Sequence, residues 1–283
     1  MENMHIMTGK LLGEFRRQLE DEEKAAPTIE KYIRDVKVFL DYTGEGGEVT
    51  KTVTKSYKET LRKKYSPAAV NSMLAALNGF LKRTGWHECV VKSVKWQKEA
   101  FRSTRKDLTK AEYFRLVDEA EKSGKTRLSL ILQTLCSTGI RISELEFITA
   151  EAVRKGRAVV RSKGKQRTVL LPDRLCARLK KYMEPGKKGS VFVTRNGKPV
   201  DRSNIFHEMK KLCEAAGVAR EKVYPHNLRH LFAKTYYQVK RDITHLADLL
   251  GHSSINTTRI YTIVSDREQM RQINTLGLVP QRE

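Results

Sequence analysis

Around Ser162-Lys163-Gly164-Lys165 the hydrophobic pattern changes period, and this one change limits the architectures open to the chain. On either side, Arg157-Ala158-Val159-Val160-Arg161 and Arg167-Thr168-Val169-Leu170-Leu171 have the length and β-branching of short strands joined by a glycine-bearing turn. Almost everywhere else apolar residues return every third or fourth position, the spacing of amphipathic helices. The expected fold class is therefore mainly α, with a small antiparallel β-sheet in the later part. Val191-Phe192-Val193 reads as one more short strand.

The first third reads as a bundle. Leu11, Leu12, Phe15 and Leu19 share a helical stripe, and Pro27-Thr28 opens a second helix carrying Ile29, Tyr32, Ile33, Val36, Phe39 and Leu40. Gly44-Glu45-Gly46-Gly47 ends it. A third helix is expected from Lys55 to Lys64. Ser66-Pro67 starts a fourth, because a serine hydroxyl accepts an early amide hydrogen bond and proline suits the first turn. Residues 1–95 thus form a four-helix domain, and 96–107, with Lys98, Arg102, Arg105 and Lys106, form a basic linker.

The second domain, 108–283, opens with Thr109 and Glu112 in capping-box spacing. A helix over Arg127 to Cys136 is interrupted at Ser137-Thr138-Gly139. Ile140 to Phe147 reads as a helical restart with Ile142 and Leu145 inward. Helices resume near Leu175 to Tyr182 and continue to about Ile273.

Charge points to the partner. Lys and Arg number 55 against 33 Asp and Glu, a net +22; residues 1–100 hold 18 basic and 14 acidic groups, and the remainder 37 and 19. Most of the positive field therefore belongs to the second domain, which suits a polyanion, nucleic acid first. No apolar run approaches about 18 residues and Met1-Glu2-Asn3-Met4-His5 opens no signal segment, so a cytoplasmic protein without membrane partners is expected. Cys89, Cys136, Cys176 and Cys213 form no CxxC pair and read as buried free thiols.

Three clusters in the second domain carry chemistry. Arg141 follows a glycine-marked break, where its planar donors match phosphate oxygens, and Glu144 lies where it can orient it. An ordinary surface ion pair explains the same two residues. His226 and Arg229 follow Tyr224-Pro225 three residues apart, so they share a face near a helix N-terminus, which attracts phosphate. His226 and His230 stand four apart, but Asn227 replaces the glutamate of an HExxH zinc motif, which leaves His230 a supporting role. The third cluster is Gly251-His252-Ser253-Ser254 with Asn256-Thr257-Thr258-Arg259-Ile260-Tyr261. Two other readings stand beside it: Asp242 to Tyr261 as a helix-turn-helix reader, and Tyr261 as an aromatic at the core edge.

In order, Arg141, Lys163, His226, Arg229, His252 and Tyr261 resemble the tyrosine recombinase or phage integrase family. The resemblance rests on Thr138-Gly139-Ile140-Arg141-Ile142-Ser143-Glu144-Leu145, Ser162-Lys163-Gly164-Lys165-Gln166-Arg167, His226-Asn227-Leu228-Arg229-His230, Leu249-Leu250-Gly251-His252-Ser253-Ser254 and Thr257-Thr258-Arg259-Ile260-Tyr261. It is most similar to the short, two-domain Xer-type recombinases. The first domain is then expected to be the family's four-helix, SAM-like core-binding domain, and the second its catalytic domain.

The resemblance implies that the Tyr261 hydroxyl attacks a DNA phosphodiester, giving a 3′-phosphotyrosine and a free 5′-hydroxyl. His226 is expected to take the phenolic proton, Arg141 and Arg229 to grip the non-bridging oxygens, Lys163 to protonate the leaving oxygen, and His252 to hydrogen-bond the phosphate. No cofactor and no metal are required. The implied partners are a double-stranded recombination site and copies of the chain itself, tetrameric at a Holliday junction, with a partner recombinase or a DNA-bending accessory protein in some systems. Met270, Ile273 and Leu276 suggest a tail helix that docks on a neighbour or on its own domain. The competing readings are a catalytically silent DNA-binding regulator and a relaxing enzyme like the type IB topoisomerases. A metal-dependent nuclease is disfavoured, since the second domain offers no paired-carboxylate cluster.

Overall fold

The structure is a computed structural model that describes residues 4–95, 106–162, 164–252, 254–261, 270 and 274–275. It divides into two compact units, 1–98 and 99–283. Lys163, residues 96–105 of the expected linker and the tail positions Ile273 and Leu276 lie outside the described residues.

In the first unit, helices α1 (Gly9–Asp21), α2 (Ala26–Thr43), α3 (Lys51–Lys64) and α4 (Pro67–Arg83) enclose Phe15, Leu19, Val36, Phe39, Leu74, Leu77 and Phe80. The helix starts follow local chemistry. The Ser66 hydroxyl accepts the Ala69 N–H at 3.4 Å, with Pro67 in the first turn. Helix α3 begins at Lys51, earlier than its apolar stripe suggests, because Thr50 caps it by accepting the Val53 N–H at 3.3 Å. A strand pair escaped the sequence reading: β1 (His5–Ile6) and β2 (Glu48–Val49) are antiparallel, and two-residue strands are too short to show an alternating pattern.

The second unit opens with α5 (Lys110–Lys122). Thr109 Oγ1 accepts the Glu112 N–H at 3.2 Å, and Glu112 Oε2 accepts the Thr109 N–H at 2.8 Å, completing the expected capping box. Helix α6 (Thr126–Thr138) buries Leu128, Leu130, Ile131, Leu132 and Leu135, which occupy more than one face, so it runs through the core. It ends at Gly139, whose φ of 65° is left-handed. The stretch read as a helical restart is instead a 3-10 helix, Ile142–Phe147. There the Glu144 carboxylate accepts the Arg141 N–H at 2.8 Å, which fastens a tight single turn.

After α7 (Ala150–Lys155), β3 (Arg157–Ser162) and β4 (Lys165–Leu170) form the expected hairpin, with Val159 opposite Thr168 and Ser162 opposite Lys165. Val191-Phe192-Val193 is not a strand; only isolated bridges, Thr149 with Ser190 and Val193 with Pro199, occur there. Val191 and Phe192 are consecutive and both buried, so the segment tucks into the core rather than alternating across a sheet face. Helices α8 (Asp173–Tyr182), α9 (Arg202–Leu212), α10 (Pro225–Lys240), α11 (Ile243–Leu250) and the four-residue α12 (Ile255–Thr258) follow, with α10 packed on α6.

Cys89, Cys176 and Cys213 are buried and Cys136 is half-buried, its thiol pushed up to about 12 by desolvation. Among the described residues no helix is long and apolar enough to cross a membrane.

Two left-handed helix ends should respond differently to the same change. A Cβ at Gly139 would overlap the Phe232 ring, whereas one at Gly156, with φ 68°, meets nothing within 4 Å. Gly156→Ala should cost about 1 kcal/mol from backbone strain alone, and Gly139→Ala about 3 kcal/mol once overpacking is added. Urea unfolding of the two variants measures the gap; equal losses would rule out the packing argument.

Candidate active site

A single carboxylate organises this site. Glu144 is 1% exposed and accepts both terminal nitrogens of Arg167, Nη1 to Oε1 and Nη2 to Oε2, each at 2.8 Å. Its Oε1 also accepts Arg141 Nη1 at 3.0 Å. Burial is the largest single influence on Glu144 and opposes its charge. The hydrogen bonds from Arg167 and Arg141 together outweigh it and hold the carboxyl below its usual value.

Arg141 and Arg167 then reach the end of α11. Arg167 Nε donates to Leu249 O at 3.2 Å, and Arg141 Nη2 contacts Gly251 O at 3.4 Å. Gly251 has a φ of 63°, and a Cβ there would stand 2.8 Å from Arg167 Cδ, so the close approach needs a glycine.

Arg229 comes to the same place from α10. It is 2% exposed; Nη1 donates to Gly139 O at 2.6 Å and Nη2 to Leu250 O at 2.7 Å. The break after α6 and the end of α11 therefore converge on one guanidinium. Desolvation first, and then the positive charge of Arg141, push its pKa down to about 10. Tyr261 acts on Arg229 in the opposite sense, which places the phenol within electrostatic range.

His252 completes the contact. Its Nε2 lies 2.9 Å from Arg229 Nη2 and its Nδ1 lies 2.8 Å from Thr258 Oγ1. A guanidinium only donates, so Nε2 accepts and Nδ1–H donates to Thr258. Burial, followed by Arg229, Arg141 and His226, lowers the His252 pKa to about 4, so the ring is neutral near pH 7. Tyr261, in the 3-10 turn Arg259–Tyr261, is 3% exposed and packs with Ala233, Leu246 and Leu250. The His252 ring stacks on it at 6.2 Å, and His230 meets it edge-on at 5.0 Å.

Of the six residues picked from sequence, Arg141, Arg229, His252 and Tyr261 stand together. His226 is exposed in the first turn of α10, near enough to influence His252. Lys163 lies outside the described residues, although the hairpin strands on either side of it are described. Arg167 joins them, a residue for which the sequence motif implies no role of its own. Its signal was an arginine two residues before the buried Val169 in a strand, hence on the inward face. His230 faces Asp107, with Nδ1 4.0 Å from Oδ1. The helix-turn-helix alternative finds little support, since α12, where a reading helix would lie, has four residues.

The phage integrase family profile matches residues 106–268. The chain is 30% identical over 289 residues to the tyrosine recombinase XerA of Pyrococcus furiosus, spanning 96% of each protein. Its fold is similar to that of the XerH site-specific recombinase bound to palindromic difH substrate in a post-cleavage complex, with a TM-score of 0.70 and 20% identity over 93% of this chain and 84% of that one. A lambda integrase tetramer bound to a Holliday junction gives a TM-score of 0.73 at 18% identity, over 91% and 77%.

Two measurements probe the electrostatics. Glu144→Gln removes the counter-charge of two guanidiniums and should cost roughly 3 kcal/mol at neutral pH. Because the Glu144 pKa is lowered on folding, its contribution is complete above about 4.5 and is lost as pH falls through the folded value, so the variant should lose less stability in acid than the parent. Denaturant midpoints from pH 3 to 7 check this. By the same linkage the neutral form of His252 favours the fold above about pH 6.5, and this is lost as pH falls toward about 4. An NMR titration should find its midpoint near 4 in the free protein and higher with inorganic phosphate; a midpoint near 6.5 without anion would contradict the geometry.

Proposed function

The chain belongs to the phage integrase family as a tyrosine-type site-specific recombinase, and from that premise we propose that it cuts and rejoins DNA through a 3′-phosphotyrosine at Tyr261 and a Holliday junction. The observation that carries this reading is an unbalanced charge cluster. Arg141, Arg167 and Arg229 converge with Glu144 as the one carboxylate bonded to any of them among the described residues, beside a tyrosine. A phosphodiester supplies the missing negative charge and accepts planar, paired donors.

Arg229 offers two N–H groups beyond its bonds to Gly139, Leu250 and His252, and Arg141 offers donors beyond Glu144 and Gly251. Aimed at the non-bridging oxygens, they would stabilise the charge that grows as phosphorus becomes pentacoordinate. If a phosphate oxygen replaces His252 Nε2 as acceptor of the Arg229 Nη2–H hydrogen bond, the proton staying on Arg229, then Nε2 is released. The same negative charge opposes the cations that, after burial, hold its pKa near 4, and the ring can then carry a second proton and donate to the phosphate.

Tyr261 needs to lose its proton as it attacks, and exposed His226 is the base that serves this step. Lys163, which follows Ser162 in the chain, is assigned to protonate the leaving 5′-oxygen. The Tyr261 hydroxyl attacks phosphorus, the bond to the 5′-oxygen breaks, and the phosphotyrosine conserves the ester energy for rejoining. Since Tyr261 is 3% exposed, engagement of DNA includes a turn of the segment around it toward the phosphate. Exchange between two sites requires four copies of the chain, a number matched by the lambda integrase tetramer.

Trapping on a nicked suicide duplex tests the assignment. The parent protein should become covalently joined to a 3′-phosphate, and Tyr261→Phe should bind the duplex but form no adduct. Arg229→Lys should slow adduct formation by about 10²–10³-fold. Undiminished adduct with Tyr261→Phe would refute the role of this phenol.

A further inference from the structure

We propose that His5, Glu88 and Cys89 bind one divalent transition metal ion of the zinc class in the first unit. The His5 imidazole, the Glu88 carboxylate and the Cys89 sulfur all lie within 4.8 Å of one another. His5 Nε2 and Glu88 Oε1 are in direct contact. An ion pair accounts for those two, as it does for many exposed pairs. The Cys89 sulfur, packed in the apolar core 3.9 Å from the Val49 carbonyl, adjoins both, and imidazole, carboxylate and thiolate together are the donor set that zinc takes.

The scaffold brings the donors from opposite ends of the unit. Glu88 and Cys89 are consecutive in the 3-10 turn His87–Cys89, whose Cys89 carbonyl accepts the Thr54 hydroxyl at 2.8 Å. His5 belongs to β1, which is anchored where Met7, 0% exposed, exchanges backbone hydrogen bonds of 2.9 Å with Gly46 and Gly47. The Trp86 ring stacks on the His5 ring at 4.8 Å with 11° between planes, which sets the imidazole's orientation.

Bond lengths of about 2.3 Å to sulfur and 2.0–2.2 Å to nitrogen and oxygen put tetrahedral donors some 3.3–3.7 Å apart. Because His5 and Glu88 already touch, the widest gap is to the sulfur, and it has to close by roughly 1 Å, a shift for the two partly exposed side chains. Thiolate and carboxylate cancel the charge of the ion, and binding releases the Cys89 proton to solvent. With His5 22% and Glu88 39% exposed, a water completes the fourth position from the open side. The ion would fasten the start of the chain to the turn after α4, reinforcing a two-residue strand pair that is marginal alone. None of the residues assigned to strand cleavage takes part.

Cobalt titration of the full-length, reduced, chelator-treated protein tests the site. One equivalent should produce thiolate-to-cobalt charge-transfer absorption that added zinc displaces, and zinc should raise the melting temperature. Cys89→Ser should abolish the absorption. His5→Ala and Glu88→Gln, which alter partly exposed side chains, should weaken binding by roughly ten-fold or more while the metal-free far-ultraviolet circular dichroism stays unchanged. The idea fails if no charge-transfer band appears, if Cys89→Ser keeps it at full strength through another cysteine, or if His5→Ala binds cobalt as tightly as the parent. Should Cys89→Ser not fold, the His5→Ala comparison decides the matter.

Discussion

A carboxylate that is 1% exposed and bonded to two guanidiniums can stay buried only while both remain in place, because an isolated buried charge is far more costly than a paired one. Glu144 sits in the 3-10 helix after α6, Arg141 just before it, and Arg167 on the inward face of β4. The ion triad thereby ties the glycine break, the short helix and the hairpin to one point. Arg141 and Arg167 carry that tie onward to the carbonyls at the end of α11.

The end of α11 is where the second cation enters. Among the described residues no carboxylate is hydrogen-bonded to Arg229, and main-chain oxygens of Gly139 and Leu250 accept its hydrogen bonds instead. Those carbonyls come from the last turns of two helices, where intrahelical partners run out, so the donors meet a structural need while remaining cationic. This arrangement keeps positive charge in a partly dry site. It also holds His252 neutral and fixes which of its nitrogens carries the proton. The site thus joins three guanidiniums, one carboxylate and a neutral imidazole.

Much of the fold was written locally. The capping box at Thr109, the Ser66-Pro67 start and the hairpin around Gly164 each depend on residues a few positions apart, and each reads correctly from the chain. Errors arose where tertiary demands replaced periodicity. Ile140 to Phe147 carries an apolar spacing that suits a helix, but the Arg141 and Glu144 pairing tightens it to 3-10. Val191 and Phe192 carry strand-like residues, yet both side chains go into the core.

The residue types of the candidate site were legible through the resemblance to the tyrosine recombinase family, which singled out Arg141, Arg229, His252 and Tyr261 among many cations and aromatics. By itself the sequence determined a mainly helical chain with one hairpin, a basic second half, and the candidate site residues. Only the tertiary structure decided that Arg141 and Arg229 meet at the end of α11, that Arg167 shares Glu144 with Arg141, and that Tyr261 packs inside. It also brought His5 beside Cys89. These are relations between segments tens of residues apart, set by the packing of helix ends and by the pairing of buried charges. A periodic pattern records which face of an element is apolar, and it carries no information about which other element that face or its charges will meet.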